Sequence, residues 1–301
     1  MRPALVILAA GMGSRYGGLK QIDAVGNNGE SIIDFSIYDA IRAGFKKVYL
    51  IIREEHQELF EENLSRKIRP FIDVEYVYQS ITDVPRKFNI PSDREKPLGT
   101  THALRACRDQ VKEPFAIINA DDYYGIDAFK IIYKFLQEEV KDYHYGIIAY
   151  KTFNTLSNNG SVTRGICQEK DGYLTDIKEI QKIYLKDHLI HFENNGEIGE
   201  LSGDEPCSMN YWGFNSSIFK LMDEQFEAFL ERSLNDNPYK CEHVIPTAIG
   251  ELISLDKIKV KVMTSEEQWF GVTYQSDKPY VEKQLEDKKD SGLYPFNLWE
   301  K

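Results

Sequence analysis

Val6-Ile7-Leu8-Ala9-Ala10-Gly11-Met12-Gly13-Ser14-Arg15, followed by Tyr16-Gly17-Gly18-Leu19-Lys20-Gln21, is the stretch on which the reading of this chain turns. The apolar run over residues 6–10 reads as a buried strand. It opens at once into glycines, which let backbone N–H groups close around an anion. Arg15 and Lys20 add positive charge for which a core has no use, and the combination suits a triphosphate. The spacing is not that of a P-loop, because no Gly-Lys-Ser/Thr closes it. Nor is it the dinucleotide fingerprint, because the third glycine is missing.

Outward from this stretch, strand and helix signals alternate. Residues 5–9, 47–52, 74–79, 115–119 and 145–150 read as strands. Residues 31–43, 54–64, 100–108 and 128–140 read as helices. The first helix places Ile32, Ile33, Phe35, Ile37, Tyr38 and Ile41 near helical spacing and stops at Gly44. Residues 80–96, polar and carrying Pro85 and Pro91, read as a loop. The alternation predicts an α/β fold on a parallel-centred sheet, in which ligands bind beyond the carboxyl ends of the strands. The glycine loop, Gln79 and Asp121 all fall at such ends.

The second half is richer in strands, at residues 165–168, 174–180, 208–214 and 259–264, with turn-rich linkers at 154–160 and 193–203. Helices are expected at 218–229 and 239–252, then a charged helix at 278–289 and a loose tail after Gly292. We read one continuous domain over 1–301: a nucleotide-binding half at 1–150, an acceptor-binding half at 151–277, and a terminal helix and tail at 278–301.

With 301 residues, 42% hydrophobic and 28% charged, the composition is ordinary for a globular protein. A formal charge of −11 argues against a nucleic-acid surface. No apolar run approaches the ~18 residues of a membrane span, and the short N-terminal run does not read as a signal peptide. Cys107, Cys167, Cys207 and Cys241 are scattered without a C-x-x-C, which suggests reduced thiols and a cytoplasmic location.

Two further segments carry chemistry. Ile117-Ile118-Asn119-Ala120-Asp121-Asp122 ends a buried strand in two carboxylates, hard oxygen donors suited to Mg²⁺ beside phosphates and waters. Pro97-Leu98-Gly99-Thr100-Thr101-His102-Ala103-Leu104 offers a glycine for close backbone approach and a threonine at a helix start. His102 reads as a helix residue without a chemical role. Gln79 carries an amide that both donates and accepts, as a pyrimidine imide requires.

The N-terminal stretch resembles the L-A-A-G-x-G-[ST]-R…K signature of the sugar-phosphate nucleotidyltransferases, the enzymes that make nucleotide sugars. The resemblance is recognisable over residues 4–180. It implies a Rossmann-like nucleotidyltransferase fold: a mixed, mostly parallel sheet flanked by helices, with a β-richer acceptor-binding second half. It implies that Ala10, Gly11, Gly13, Ser14, Arg15 and Lys20 hold NTP phosphates. Asp121 then binds Mg²⁺, with Asp122 as the alternative, and Gln79, Gly99 and Thr100 meet the base. Arg164 and Gly165 resemble the family's Tyr-Gly step at the hexose. Glu179 matches the Glu of its E-K-P segment, and Asn210 heads a strand towards the same pocket.

Departures are plain. Ile180 and Gln181 replace the Lys and Pro of E-K-P, leaving Lys178 or Lys182 to grip the sugar phosphate. After Trp269, Gly271 stands where many members carry a second metal Asp, and Asp277 follows six residues later. The activity implied is transfer of a nucleoside monophosphate from UTP or dTTP to a sugar 1-phosphate, releasing pyrophosphate. The alternatives are a non-sugar acceptor, of molybdopterin or phosphocholine type, and a non-catalytic NTP-binding regulator. The expected partners are NTP and sugar phosphate, without nucleic acid or membrane; the oligomeric state is open.

Overall fold

The computed structural model describes residues 1–11, 20–157, 160–194, 196–272 and 275–300. The first half builds β1 (Ala4–Leu8), α1 (Ile32–Ala43), β2 (Lys47–Ile52), β3 (Asp73–Tyr78), α2 (Thr100–Ala106), β4 (Phe115–Asn119), β5 (Asp122–Tyr123), α3 (Ile126–Glu138) and β6 (His144–Lys151). Short helical turns occupy residues 54–68. The second half adds β7 (Val162–Lys170), β8 (Tyr173–Lys186), β9 (Leu189–Asn194), β10 (Glu197–Leu201), β11 (Pro206–Phe214), α4 (Ser217–Ser233), α5 (Ile245–Ser254), β12 (Lys259–Ser265), β13 (Phe270–Gly271) and α6 (Lys278–Asp290).

One large sheet runs through both halves in the order β10-β9-β8-β12-β6-β11-β4-β1-β2-β3, with β7 bridging β11 and β8. Strands β3, β2, β1 and β4 are parallel; the apolar runs of β1, β2 and β4 are buried on both faces, whereas β3, at the edge, alternates buried and exposed residues. Beyond these four strands the only parallel pair among the described residues is β6 with β12. β11 enters antiparallel between β4 and β6, and β7 to β10 join as antiparallel strands, so the whole is mixed.

Because β1 lies between β2 and β4, the chain switches direction there, and a crevice opens beyond the carboxyl ends of β1 and β4. Leu8 registers with Asn119, and Ala120 N–H donates to the Leu8 carbonyl at 3.2 Å. The chain leaving β1 towards Gly11 and the acidic turn after β4 therefore start side by side.

Two expectations are corrected. The linker at 193–203 is largely the β9–β10 hairpin. Only β9 carries an apolar face, Ile190 and Phe192, which packs into the core; β10, with Glu197, Gly199 and Glu200, has no matching alternation. The tail after Gly292 is packed, not loose: Tyr294 and Leu298 are buried against α1 and α6. Trp299 Nε1 donates to Asp34 Oδ1 at 2.8 Å. Asp34 also accepts the Ser31 N–H at 2.7 Å, which fixes the start of α1. No described helix is long and apolar enough to cross a membrane.

Below the acidic turn, Tyr294 donates to the buried Asp39 at 2.6 Å, and its hydroxyl lies 2.7 Å from that of Tyr123. Burial pushes the Asp39 carboxyl from 3.8 up to about 7, against the Tyr294 hydrogen bond and the Arg42 charge. The folded state thus holds a proton that the unfolded chain releases. Stability is full below pH ~4 and declines as pH rises towards 7. Asp39→Asn should remove this slope, so that its stability relative to wild type rises between pH 4 and 8 by on the order of a few kcal/mol. Chemical denaturation of both proteins across that range measures it, and parallel profiles would contradict the assignment.

Candidate active site

Gln21 ties the glycine loop at its base, donating from Nε2 to the Gly11 carbonyl at 2.6 Å. Ala10 is buried in the core behind the loop. Gly13, Ser14 and Arg15 lie outside the described residues, and of Lys20 only the backbone is described, opening a short 3-10 turn.

The two carboxylates of the acidic turn differ in their surroundings. Asp122 is buried; its Oδ2 accepts Asn119 Nδ2 at 2.8 Å and the Tyr124 hydroxyl at 3.2 Å. Asp121 is only partly buried, at the very end of β4, and its backbone carbonyl accepts the Val272 N–H at 3.1 Å. Across from Asp122, in the β5–β13 pairing, lies Gly271. A Cβ there would come within 2.5 Å of Asp122 Oδ1 and 3.0 Å of the Asp121 carbonyl oxygen. The carboxylate of Asp122 thus fills the space that a side chain at position 271 would need. Asp277 is buried at the head of α6, next to Lys278, which pairs with Asp23 at 2.9 Å.

Among the described residues no group of three or more His, Cys, Asp or Glu forms a metal cage. Asp121 as one hard ligand, with phosphate oxygens and waters completing the shell, still fits the way Mg²⁺ is usually held. Asp122, half committed to Asn119 and Tyr124, suits that role less well.

On the β2–β3 side of the crevice a cleft of about 390 Å³ is lined by Arg53, Tyr78, Gln79, Ser80, Arg94 and Pro97. His102 faces Gln79 from α2 with Nδ1 3.1 Å from Gln79 Nε2, and its Nε2 lies 3.0 Å from the Asp83 carbonyl oxygen. Burial pulls the His102 pKa down to about 4, so the ring is neutral at pH 7. A carbonyl can only accept, so Nε2 carries the proton and Nδ1 accepts from the Gln79 amide. The Gln79 amide is thereby locked in one polarity, a role for His102 that its place on a helix did not reveal. Its partner Asp83 is nineteen residues away, beyond any local motif.

Gly99 and Thr100 do not line this cleft. Gly99 has φ 99°, and a Cβ there would meet the His243 carbonyl oxygen at 2.3 Å. Thr100 Oγ1 accepts the Ile245 N–H at 2.9 Å. The close approach that this glycine permits is to the chain leading into α5.

Arg164, Gly165, Glu179 and Asn210 do come together. With Asn119 and Thr247 they line a second cleft of about 220 Å³ between β7, β8, β11 and α5. Asn210 sits at a bulge in β11 with φ 61°. Its Nδ2 donates to Asn119 Oδ1 at 2.8 Å, and its Oδ1 accepts Trp212 Nε1 at 2.9 Å. Asn119 therefore links this second cleft to Asp122. Sequence reasoning passed over it, although it immediately precedes the Ala-Asp-Asp turn. Neither Lys178 nor Lys182 lines the cleft, and Lys182 pairs with Glu193 at 2.8 Å.

Comparison with known proteins agrees with this architecture. No curated protein sequence matches the chain. Many solved structures share its fold, among them three at low identity. A glucose-1-phosphate thymidylyltransferase assigned in Bacillus anthracis is 13% identical with TM-score 0.61, covering 94% of this chain and 95% of its own. The inositol-1-phosphate CTP transferase of T. maritima is 12% identical with TM-score 0.63, covering 96% and 97%. A UDP-glucose pyrophosphorylase complexed with UDP-glucose is 14% identical with TM-score 0.62, covering 96% and 100%. The nucleotidyl transferase family model matches residues 4–182, and the chain belongs to that family.

Proposed function

We propose that this protein transfers a nucleoside monophosphate from an NTP to a sugar 1-phosphate, in nucleotide-sugar biosynthesis. The observation that carries the reading is that the end of β1, leading into Gly11, and the acidic turn after β4 lie side by side, through the Ala120 to Leu8 hydrogen bond, with two clefts nearby. The solved structures of like fold include enzymes named for glucose 1-phosphate and UDP-glucose, which supports a sugar acceptor.

In the reaction, a phosphate oxygen of the acceptor attacks the α-phosphorus in line. A new P–O bond forms as the α–β bridging bond breaks, and the bridging oxygen leaves with pyrophosphate. A phosphate nucleophile needs no general base, so the work is positioning and charge neutralisation. Arg15 and Lys20 offset charge on the departing pyrophosphate. Asp121 is the residue that would hold Mg²⁺, and the ion, when bound, would supply Lewis-acid polarisation of phosphate oxygens. Gln79, with one N–H given to His102, turns its carbonyl and remaining N–H to the base, the complement of an imide edge. This supports UTP or dTTP as donor.

Glu179 lies exposed on the rim of the second cleft, registered opposite Gly165. A carboxylate bonding sugar hydroxyls is worth about 1.5–3 kcal/mol. Glu179→Ala should raise KM for the sugar phosphate roughly 10–100-fold and leave NTP affinity nearly unchanged. Equal loss for both substrates, or no change, would displace Glu179 from the site. The function itself is tested by pyrophosphate release across UTP, dTTP, CTP and GTP with hexose and N-acetylhexosamine 1-phosphates. A clear preference for GTP, or release only with a non-sugar acceptor, would move the protein to another branch of the family.

A further inference from the structure

Arg164 is a partly buried cation without a counter-ion. From β7 its Nε donates to Thr155 Oγ1 at 3.3 Å, Nη1 to the Thr163 carbonyl at 3.0 Å and Nη2 to the Thr155 carbonyl at 2.5 Å. The guanidinium lies 4.8 Å over the Trp269 ring. All these partners are neutral. Among the described residues no carboxylate lies within ion-pair distance of Arg164. Burial pulls its pKa below the usual arginine value, and Asp122 is near enough only to offset part of that. A desolvated charge left unpaired is costly, and such groups are kept where a ligand completes them. Three of the five guanidinium N–H groups are used, which leaves one on each Nη for an incoming acceptor.

The surroundings say which ligand. Arg164 lines the 220 Å³ cleft together with Glu179 and Asn210 and is the cation among its described lining residues. The position after Glu179, where the family resemblance implies a lysine, is Ile180, buried in the core. Trp269, beneath the guanidinium, approaches to 3.1 Å from where a Cβ on Gly271 would lie, and Gly271 faces Asp122. An anion on Arg164 would thus sit at the acidic-turn end of the cleft. At that spot a second aspartate would repel it, and this chain has glycine.

We propose that Arg164 binds the anionic end of the acceptor, the phosphate monoester of the sugar 1-phosphate. In this chain it takes the place of the missing lysine. Two parallel N–H groups suit a phosphate, which a planar guanidinium grips bidentately where an ammonium acts as a point charge. The inference rests on the acceptor reading above, but its test needs no turnover.

Because Arg164 stacks on Trp269, an anion that binds there should perturb indole fluorescence, and Trp269→Phe should abolish that response. Titration of wild type without NTP should give a saturable change with glucose 1-phosphate and with inorganic phosphate, and none with glucose. Arg164→Gln should raise the half-saturating concentration at least tenfold, and Arg164→Lys by less. If Arg164→Gln does not fold, Arg164→Lys decides, with an expected three- to tenfold rise. Unchanged half-saturation in the Arg164 variants overturns the proposal. So does a wild-type response lost in Arg15→Ala instead, or a wild type that gives no response. A protein that binds through Arg164 yet releases no pyrophosphate with any sugar phosphate would refute the proposed reaction and leave this site standing.

Discussion

Asp121→Asn is expected to lower kcat by on the order of 10³-fold, with the fold retained and activity requiring Mg²⁺ or Mn²⁺ in the wild type. The substitution removes the carboxylate that lies at the open end of β4 and leaves the buried network beneath it untouched. Asp122→Asn should cost less activity and more stability, because Asp122 accepts from Asn119 and Tyr124 inside the turn. Steady-state kinetics and thermal unfolding of both variants separate these effects. If Asp122→Asn kills activity and Asp121→Asn does not, the two roles are exchanged. If neither matters, the metal reading fails.

The second large effect is expected at the triphosphate grip. Arg15→Ala should lose about 10²-fold or more in kcat/KM for the NTP, provided its contact strengthens as charge builds on the leaving pyrophosphate. A transition-state contact lowers kcat, whereas a uniform binding contact raises KM alone. Unchanged steady-state constants would remove Arg15 from the site.

The sequence discloses what depends on short spacing. Residues 47–52 and 115–119 are strands with the expected bounds, because each is an unbroken apolar run between turns. The strand and helix order of the first half follows from such runs. The β9–β10 hairpin escaped because its apolar stripe is only Ile190 and Phe192 on β9, and Glu197, Gly199 and Glu200 break the pattern on β10. The packed tail escaped because Tyr294 and Trp299 acquire meaning only against Asp39 and Asp34, some 250 residues earlier.

The same holds within the site. Arg164 and Glu179 are recognisable one by one, but the bare charge of Arg164 depends on Thr155 and Trp269 folding around it. The Asn119–Asn210 bridge spans ninety-one residues and needs the bulge that sets Asn210 at positive φ. Gly99 reads as a ligand-facing glycine until the backbone of His243 is found against it. Local patterns announce elements and motifs, and contacts between distant segments decide which polar groups remain for a ligand.

Nucleotidyl transfer to a sugar phosphate can be followed by phosphorus NMR of the protein with Mg²⁺, UTP and glucose 1-phosphate or N-acetylglucosamine 1-phosphate. A coupled diphosphate pair from the new nucleotide sugar should grow in step with pyrophosphate, and only when both substrates are present. Growth of orthophosphate, pyrophosphate formed without the sugar phosphate, or an unchanged spectrum with bound UTP would contradict it.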